Sequence, residues 1–208
     1  MVSNATCKHR KQCDLRSDEE LVKLAKKNKS CYVCLMERYE DKMMRYVRRI
    51  SGVNIETAED IVQNVFLKVY VNLNAFKQDL KFSSWLYRIA HNETINYWRR
   101  NKKRSGSDIS WDNNEALKNI IKDEHNTEQE VYQKITNEQL IETLKGMDEK
   151  YRSVLILNYL EGKSYQEIAD ILKKPIGTVG TLLNRAKKIL KKRLKKQGLT
   201  SSSAIHNF

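Results

Sequence analysis

Proline occurs once in these 208 residues and glycine seven times. Strands joined by tight turns draw on proline's fixed φ and on glycine's freedom at positive φ, so this scarcity argues against a β architecture. No run of about 18 apolar residues is present, which excludes a membrane-spanning helix. The polar N-terminus, with Lys8, Arg10 and Lys11, lacks the apolar stretch of a secretory signal, so a cytoplasmic chain is expected. Histidine is scarce and scattered, at His9, His91, His125 and His206. No carboxylates pair at metal spacing and no glycine-rich loop could cradle a phosphate. An enzyme is therefore not expected, no catalytic residue is assigned and no cofactor is implied.

Negative charge is also in short supply: 39 Lys and Arg face 26 Asp and Glu, leaving a net charge of +13. Such an excess calls for a polyanionic partner. Nucleic acid fits better than an anionic membrane surface, which would call for a basic amphipathic helix with an exposed apolar face. Charge alone goes no further than that.

What is abundant is Leu, Lys, Glu, Ile and Ala at helical spacing, and the fold class that follows is all-α. Residues 1–16 are polar and aperiodic and read as a tail. Ser17-Asp18-Glu19-Glu20 has the form of a capping box ahead of Leu21, Val22, Leu24 and Ala25. Three more helices are expected, over about Cys31–Ile50, Ala58–Asn74 and Trp85–Arg100, with Phe76–Ser84 as a loop. Composition changes at Ser105: up to Glu130, seven acidic residues face only Lys118 and Lys122. Helical periodicity returns from Val131 to about Lys196, and 197–208 reads as a frayed tail. The expected architecture is two small helical domains, 17–104 and 131–196, joined by an acidic linker over 105–130.

Residues 164–195 carry the sharpest local signal. Ser164-Tyr165-Gln166-Glu167 is a second capping box, opening a short helix with Ile168, Ala169, Ile171 and Leu172 on one stripe. Lys173-Lys174-Pro175-Ile176-Gly177 breaks it. A longer basic helix follows, carrying Val179, Leu182, Leu183, Ala186, Ile189, Leu190 and Leu194. This is the pattern of a helix-turn-helix, whose second helix lies in the major groove of duplex DNA. An ordinary helical hairpin with a solvated lysine face is the competing reading; spacing and net charge favour DNA.

The stretch from Thr57 to Arg100 pairs an acidic-to-apolar helix with an aromatic-rich one, Phe82-Ser83-Ser84-Trp85-Leu86-Tyr87-Arg88-Ile89-Ala90-His91-Asn92. Aromatic rings beside cations suit single-stranded DNA, whose unstacked bases lie on the rings. Trp85 is better placed as packing, while Arg88, Asn92, Asn96 and Arg99 fall along one face.

The segment from Glu59-Asp60-Ile61-Val62-Gln63 through Trp85-Leu86-Tyr87-Arg88-Ile89-Ala90-His91-Asn92 resembles region 2 of the extracytoplasmic-function (ECF) type of RNA polymerase sigma factor. Leu144 to Leu194, with Tyr165-Gln166-Glu167-Ile168-Ala169 and Gly177-Thr178-Val179, resembles region 4 of the same group. The two stand in the family's order, with a linker and no region 3 between them. The resemblance implies an alternative sigma factor that binds core RNA polymerase and directs promoter-specific transcription initiation. Asp60, Gln63, Asn64 and Phe66 become candidate polymerase contacts. Phe82, Arg88, Asn92, Asn96 and Arg99 become candidates for melting and holding the minus-10 element. Thr178, Thr181, Asn184, Arg185 and Lys188 become candidates for reading the minus-35 duplex. An anti-sigma factor is a further candidate partner. The linker matches a segment that threads the polymerase cleft.

One departure stands out. After Gly-Thr-Val the family usually places a basic residue, Ser and another basic residue, where this chain has Gly180, Thr181 and Leu182. Two cations toward the minus-35 element are missing. A stand-alone helix-turn-helix regulator would have no use for the Thr57–Arg100 domain, and an RNA-binding helical protein is favoured by charge alone.

The four cysteines, Cys7, Cys13, Cys31 and Cys34, all precede residue 35. With His9 they could supply a tetrahedral zinc site, Cys31-Tyr-Val-Cys34 being a common half-site. Redox sensing is another use. Against both, the helical pattern around Cys31 and Cys34 already accounts for them, and relatives generally lack these cysteines; ordinary reduced thiols are expected.

Overall fold

The computed structural model describes residues 13–77, 79–105, 143–144 and 146–196, the side chains of 102–105 aside. Every regular element among them is helical, so the all-α expectation holds. The expected linker and both tails fall outside the described residues, apart from Cys13–Arg16 and the backbone of Ser105.

Helix α1 spans Asp18–Lys27 and opens on the capping box read from the sequence. Ser17 Oγ accepts the Glu20 backbone N–H, and the Glu20 carboxylate accepts that of Ser17. Its acidic first turn and basic last turn both complement the helix dipole. A 3₁₀ turn, Lys29–Cys31, leads into α2, Tyr32–Ser51, which buries Leu35, Tyr39, Met43, Tyr46, Val47 and Ile50 at three- and four-residue steps. Gly52 ends α2 at φ 69°, the left-handed conformation that closes a helix most cheaply on glycine.

Helix α3 covers Ile55–Asn72 and begins earlier than periodicity suggested, because Asn54 caps it by accepting the Thr57 N–H. Helix α4 runs from Phe82 to Ser105. It starts three residues before the expected Trp85, since Ser83 and Ser84 continue the helix and Ser84 is buried. The loop ahead of it is correspondingly shorter. Helices α2, α3 and α4 pack on one another and α1 lies across α2 and α4.

The C-terminal unit is built from α5, Glu149–Leu155, with a π-helical continuation over Ile156–Leu160, then α6, Tyr165–Leu172, and α7, Ile176–Lys196. Gly162 turns the chain between α5 and α6 at φ 62°. Ser164 caps α6 in the second capping box. The turn between α6 and α7 passes through Lys173 at φ 50°, a left-handed residue other than glycine, which costs about 1 kcal/mol. Pro175 then opens α7, its carbonyl accepting the Thr178 and Val179 N–H groups. Val179, Leu183, Ala186, Leu190 and Leu194 bury the inner stripe of α7 against α5 and α6.

The two units are in direct contact, α6 lying on α4. The π-helical stretch delivers Glu161 to the junction, where its side chain is 6% exposed. One carboxylate oxygen accepts from Arg49 Nη1 at 2.8 Å and the other from the Tyr87 hydroxyl at 2.7 Å. Arg49 also donates to the Leu160 carbonyl, Lys163 sits 4.5 Å over the Tyr87 ring, and Lys81 pairs with Glu167 at 3.3 Å.

Candidate polymerase and nucleic-acid interfaces

Three surfaces carry the residues singled out in the sequence. The first is the outer face of α3. Asp60, Gln63 and Asn64 are exposed there, with Asn64 turned back to donate to the Asp60 carbonyl at 2.8 Å. Phe66 is not part of this face. It is 6% exposed, because its position falls on the inner stripe with Val62, Val65 and Val69, and its carbonyl accepts the Tyr32 hydroxyl. The face instead continues through Leu67, 60% exposed, and Val71, 69% exposed. Positions 60, 63, 64, 67 and 71 stand one above another on a helix. The polar half was legible in the sequence. The apolar half was missed, although two large apolar residues off the buried stripe were a signal for it.

The second surface is α4. Asn92, Asn96 and Arg99 are exposed at four- and three-residue steps along one face, and Arg99 makes a loose ion pair with Glu149 at 3.6 Å. Arg88 begins the same row but is half-buried, lining a shallow pocket with Gln166, Asp170, Lys173 and Lys174 of the C-terminal unit. Phe82 is the main correction. It was expected to meet an unstacked base, yet it is 1% exposed and packs against Tyr39, Phe76 and Trp85 with ring centroids 5.8–6.0 Å apart. Burying these rings contributes more here than a ring waiting in water would, so the aromatic cluster is core. What the preceding loop leaves exposed is Lys77, Asp79 and Lys81.

Below this face lies His91, 8% exposed, its Nδ1 3.1 Å from the Tyr46 hydroxyl. Burial first, and then the nearby positive charges of Arg99 and Lys174, push its pKa down to about 4, so the ring is neutral at pH 7.

The third surface is the outward side of α7. Thr178, Thr181, Asn184, Arg185 and Lys188 are all exposed on it, and Lys191, Lys192, Lys195 and Lys196 extend its positive charge. Thr181 donates back to the Gly177 carbonyl at 2.9 Å. A Cβ at Gly180 would meet only the Tyr165 ring edge, at 3.9 Å, so packing does not force glycine there.

The cysteines differ from expectation. Cys13 and Cys34 form a disulfide across Cα atoms 5.9 Å apart, while Cys31 is buried outside it. Two sulfurs bonded to each other are not thiolate ligands, so the zinc set drawn from Cys13, Cys31 and Cys34 is not assembled here. Cys7 and His9 lie outside the described residues. The reading of Cys13 and Cys34 as ordinary thiols fails too, because α1 and α2 fold back to bring positions 21 residues apart together.

Two family models match in the order of the two units: Sigma-70 region 2 over residues 35–104 and Sigma-70 region 4 over residues 137–190. The ECF RNA polymerase sigma factor SigW of Bacillus subtilis is 32% identical over 180 residues, spanning 85% of this chain and 96% of SigW. The chain belongs to the ECF sigma factors. The RNA polymerase sigma factor YlaC of the same organism is 35% identical over 78% of this chain and 91% of its own. Among solved structures, CnrH in complex with the cytosolic domain of CnrY superimposes with a TM-score of 0.62 at 21% identity, covering 87% of this chain and 99% of CnrH. The RpoE–NepR complex of Bartonella quintana gives 0.60 at 22% identity, over 77% of this chain and 94% of RpoE. As a sigma factor the chain binds core RNA polymerase and promoter DNA and acts in transcription initiation, in a family whose members are initiation factors and not classical enzymes. No helix among the described residues is long and apolar enough to cross a membrane.

Proposed function

We propose that this sigma factor divides its work among the three surfaces. The α3 face, Asp60, Gln63 and Asn64 with Leu67 and Val71, docks on core polymerase. The α4 row, Arg88, Asn92, Asn96 and Arg99, holds the melted minus-10 strand. Thr178, Thr181, Asn184, Arg185 and Lys188 of α7 read the minus-35 duplex. The observation that carries this division is the separation of chemistry on the surface. An apolar stripe flanked by polar groups suits a protein partner, whereas amides beside cations suit DNA. The lysines C-terminal to Lys188 contact phosphates and add affinity without sequence information. With Gly180 and Leu182 where relatives usually carry cations, minus-35 reading rests on hydroxyl, amide and guanidinium groups.

The chain works in the cytoplasm beside the polymerase. An anti-sigma factor is a further partner, since the Bartonella relative was captured with one, NepR. Run-off transcription with core enzyme, with and without this protein, tests the assignment. Promoter-dependent transcripts only in its presence are expected; failure to co-elute with core polymerase on gel filtration would refute it.

A further inference from the structure

The disulfide has no part in the functions assigned above, and its surroundings connect it to one of them. Cys13 stands just ahead of α1 and Cys34 in the first turn of α2, so their bond fastens the start of α1 to α2. Arg38, one turn further along α2, donates to the Cys13 and Arg16 carbonyls and pairs with Asp18 at 2.7 Å. Asp18 in turn accepts the Tyr39 hydroxyl. Helix α1 then reaches the loop before α4 at both of its ends. Lys26 Nζ donates to the Phe76 carbonyl at 2.9 Å and to that of Asn74 at 3.4 Å, and the Glu19 carboxylate lies 3.5 Å from the Phe82 backbone nitrogen. Tyr39 packs edge-on against Phe82 itself. The bond is therefore linked, through α1 and Tyr39, to the segment that positions α4.

A sigma factor works where reductants keep thiols reduced, and disulfides in such a compartment are usually conditional. We infer that Cys13 and Cys34 are a reversible thiol switch, closed by a hydroperoxide, whose disulfide braces the loop at the head of α4 and so favours promoter opening. This rests on α4 being the minus-10 surface. In the closing step one thiolate attacks a peroxide oxygen, the S–O bond forms as the O–O bond breaks, the cysteine is left as a sulfenic acid and hydroxide departs, protonated to one water. The second thiol attacks the sulfenic sulfur, the S–S bond forms, and a second water departs. Two thiols are oxidised by two electrons and one hydrogen peroxide is reduced to two waters. A dithiol reverses the bond by exchange through a mixed disulfide. Both sulfurs are buried, but Cys13 precedes the first helix beside exposed Asp14 and Leu15, so a swing of this short segment opens the pair to reagents.

The experiment uses the full chain, treated with hydrogen peroxide or dithiothreitol and desalted before core polymerase is added. Peptide mapping should find Cys13 joined to Cys34 in the oxidised chain only, and reduction should lower its melting temperature by about 10 °C. Permanganate reactivity at the minus-10 element should be several-fold higher with the oxidised chain. Cys13→Ser should behave as reduced under both treatments, and Cys31→Ser should keep the full response. Equal opening in both redox states overturns the switch while leaving the sigma assignment standing. A different cysteine pairing, or about one zinc per reduced chain by elemental analysis, overturns it as well. No promoter-dependent transcript in either state overturns the sigma assignment and the switch together.

Discussion

His91 shows how much a single residue's surroundings decide. Its pKa is pushed down to about 4 in the folded chain, against about 6.5 when unfolded. Between those values the unfolded state binds more protons, so stability rises with pH across the window and is lost as pH falls from 6.5 toward 4. The amount at stake is about 3 kcal/mol. Urea unfolding at several pH values between 4 and 7.5 should show this slope, and His91→Gln should flatten it. An unchanged slope in the variant would assign the effect to other groups. Asn92 and Asn96, exposed on the same helix, are expected to act on DNA and not on the fold. Alanine at either should leave the melting temperature nearly unchanged and reduce promoter opening more than polymerase binding. Equal loss of both would place that face elsewhere in the complex. Phe82 separates the two kinds of residue: its type and position marked it for DNA, and only its packing showed it to be core.

At the scale of elements, α3 and α7 each bury one stripe and present the other. On α3 the presented stripe is partly apolar, with Leu67 and Val71 in water. Leu67→Arg should change folding stability by no more than about 0.5 kcal/mol, since the side chain is exposed. It should weaken binding to core polymerase about tenfold, equivalent to roughly 1.4 kcal/mol. Fluorescence anisotropy with labelled sigma factor measures this, and unaltered affinity would remove the apolar half of the face from the interface. The capping boxes at Ser17 and Ser164 and the buried stripes of α2 and α7 were readable because they are local periodicities. The start of α4 was not, because Ser83 and Ser84 look like loop residues until Ser84 is seen buried in the helix.

Across the whole molecule the two units touch, and the proposed division of promoter reading sets that contact against the spacing of the two promoter elements. The minus-10 and minus-35 elements lie some 25 base pairs apart, about 85 Å of duplex at 3.4 Å per step. α4 and α6 are packed together, with Glu161 shared between Arg49 and Tyr87. On the proposed assignment of α4 to the minus-10 element and α7 to the minus-35 element, binding both at once needs this junction to part. Glu161→Ala strands the Arg49 guanidinium and the Tyr87 hydroxyl and should weaken the closed form by about 3 kcal/mol. Small-angle scattering of the free variant should report a larger radius of gyration than the unaltered chain. Identical scattering curves would show that Glu161 does not hold the units together.

The helical class, both capping boxes, the short-helix, turn, long-helix order of the C-terminal unit and the exposure of most of the polar residues singled out were all written in the linear chain. These depend on interactions three or four residues apart, which a linear chain displays directly. The tertiary structure decided what depends on distant partners. It moved Phe66 and Phe82 into the core, added Leu67 and Val71 to the α3 face, joined Cys13 to Cys34, and set Glu161 between Arg49 and Tyr87. Whether an apolar side chain is core or surface, and which polar groups meet, depends on how the helices stack, and that is settled only when the whole chain excludes water together.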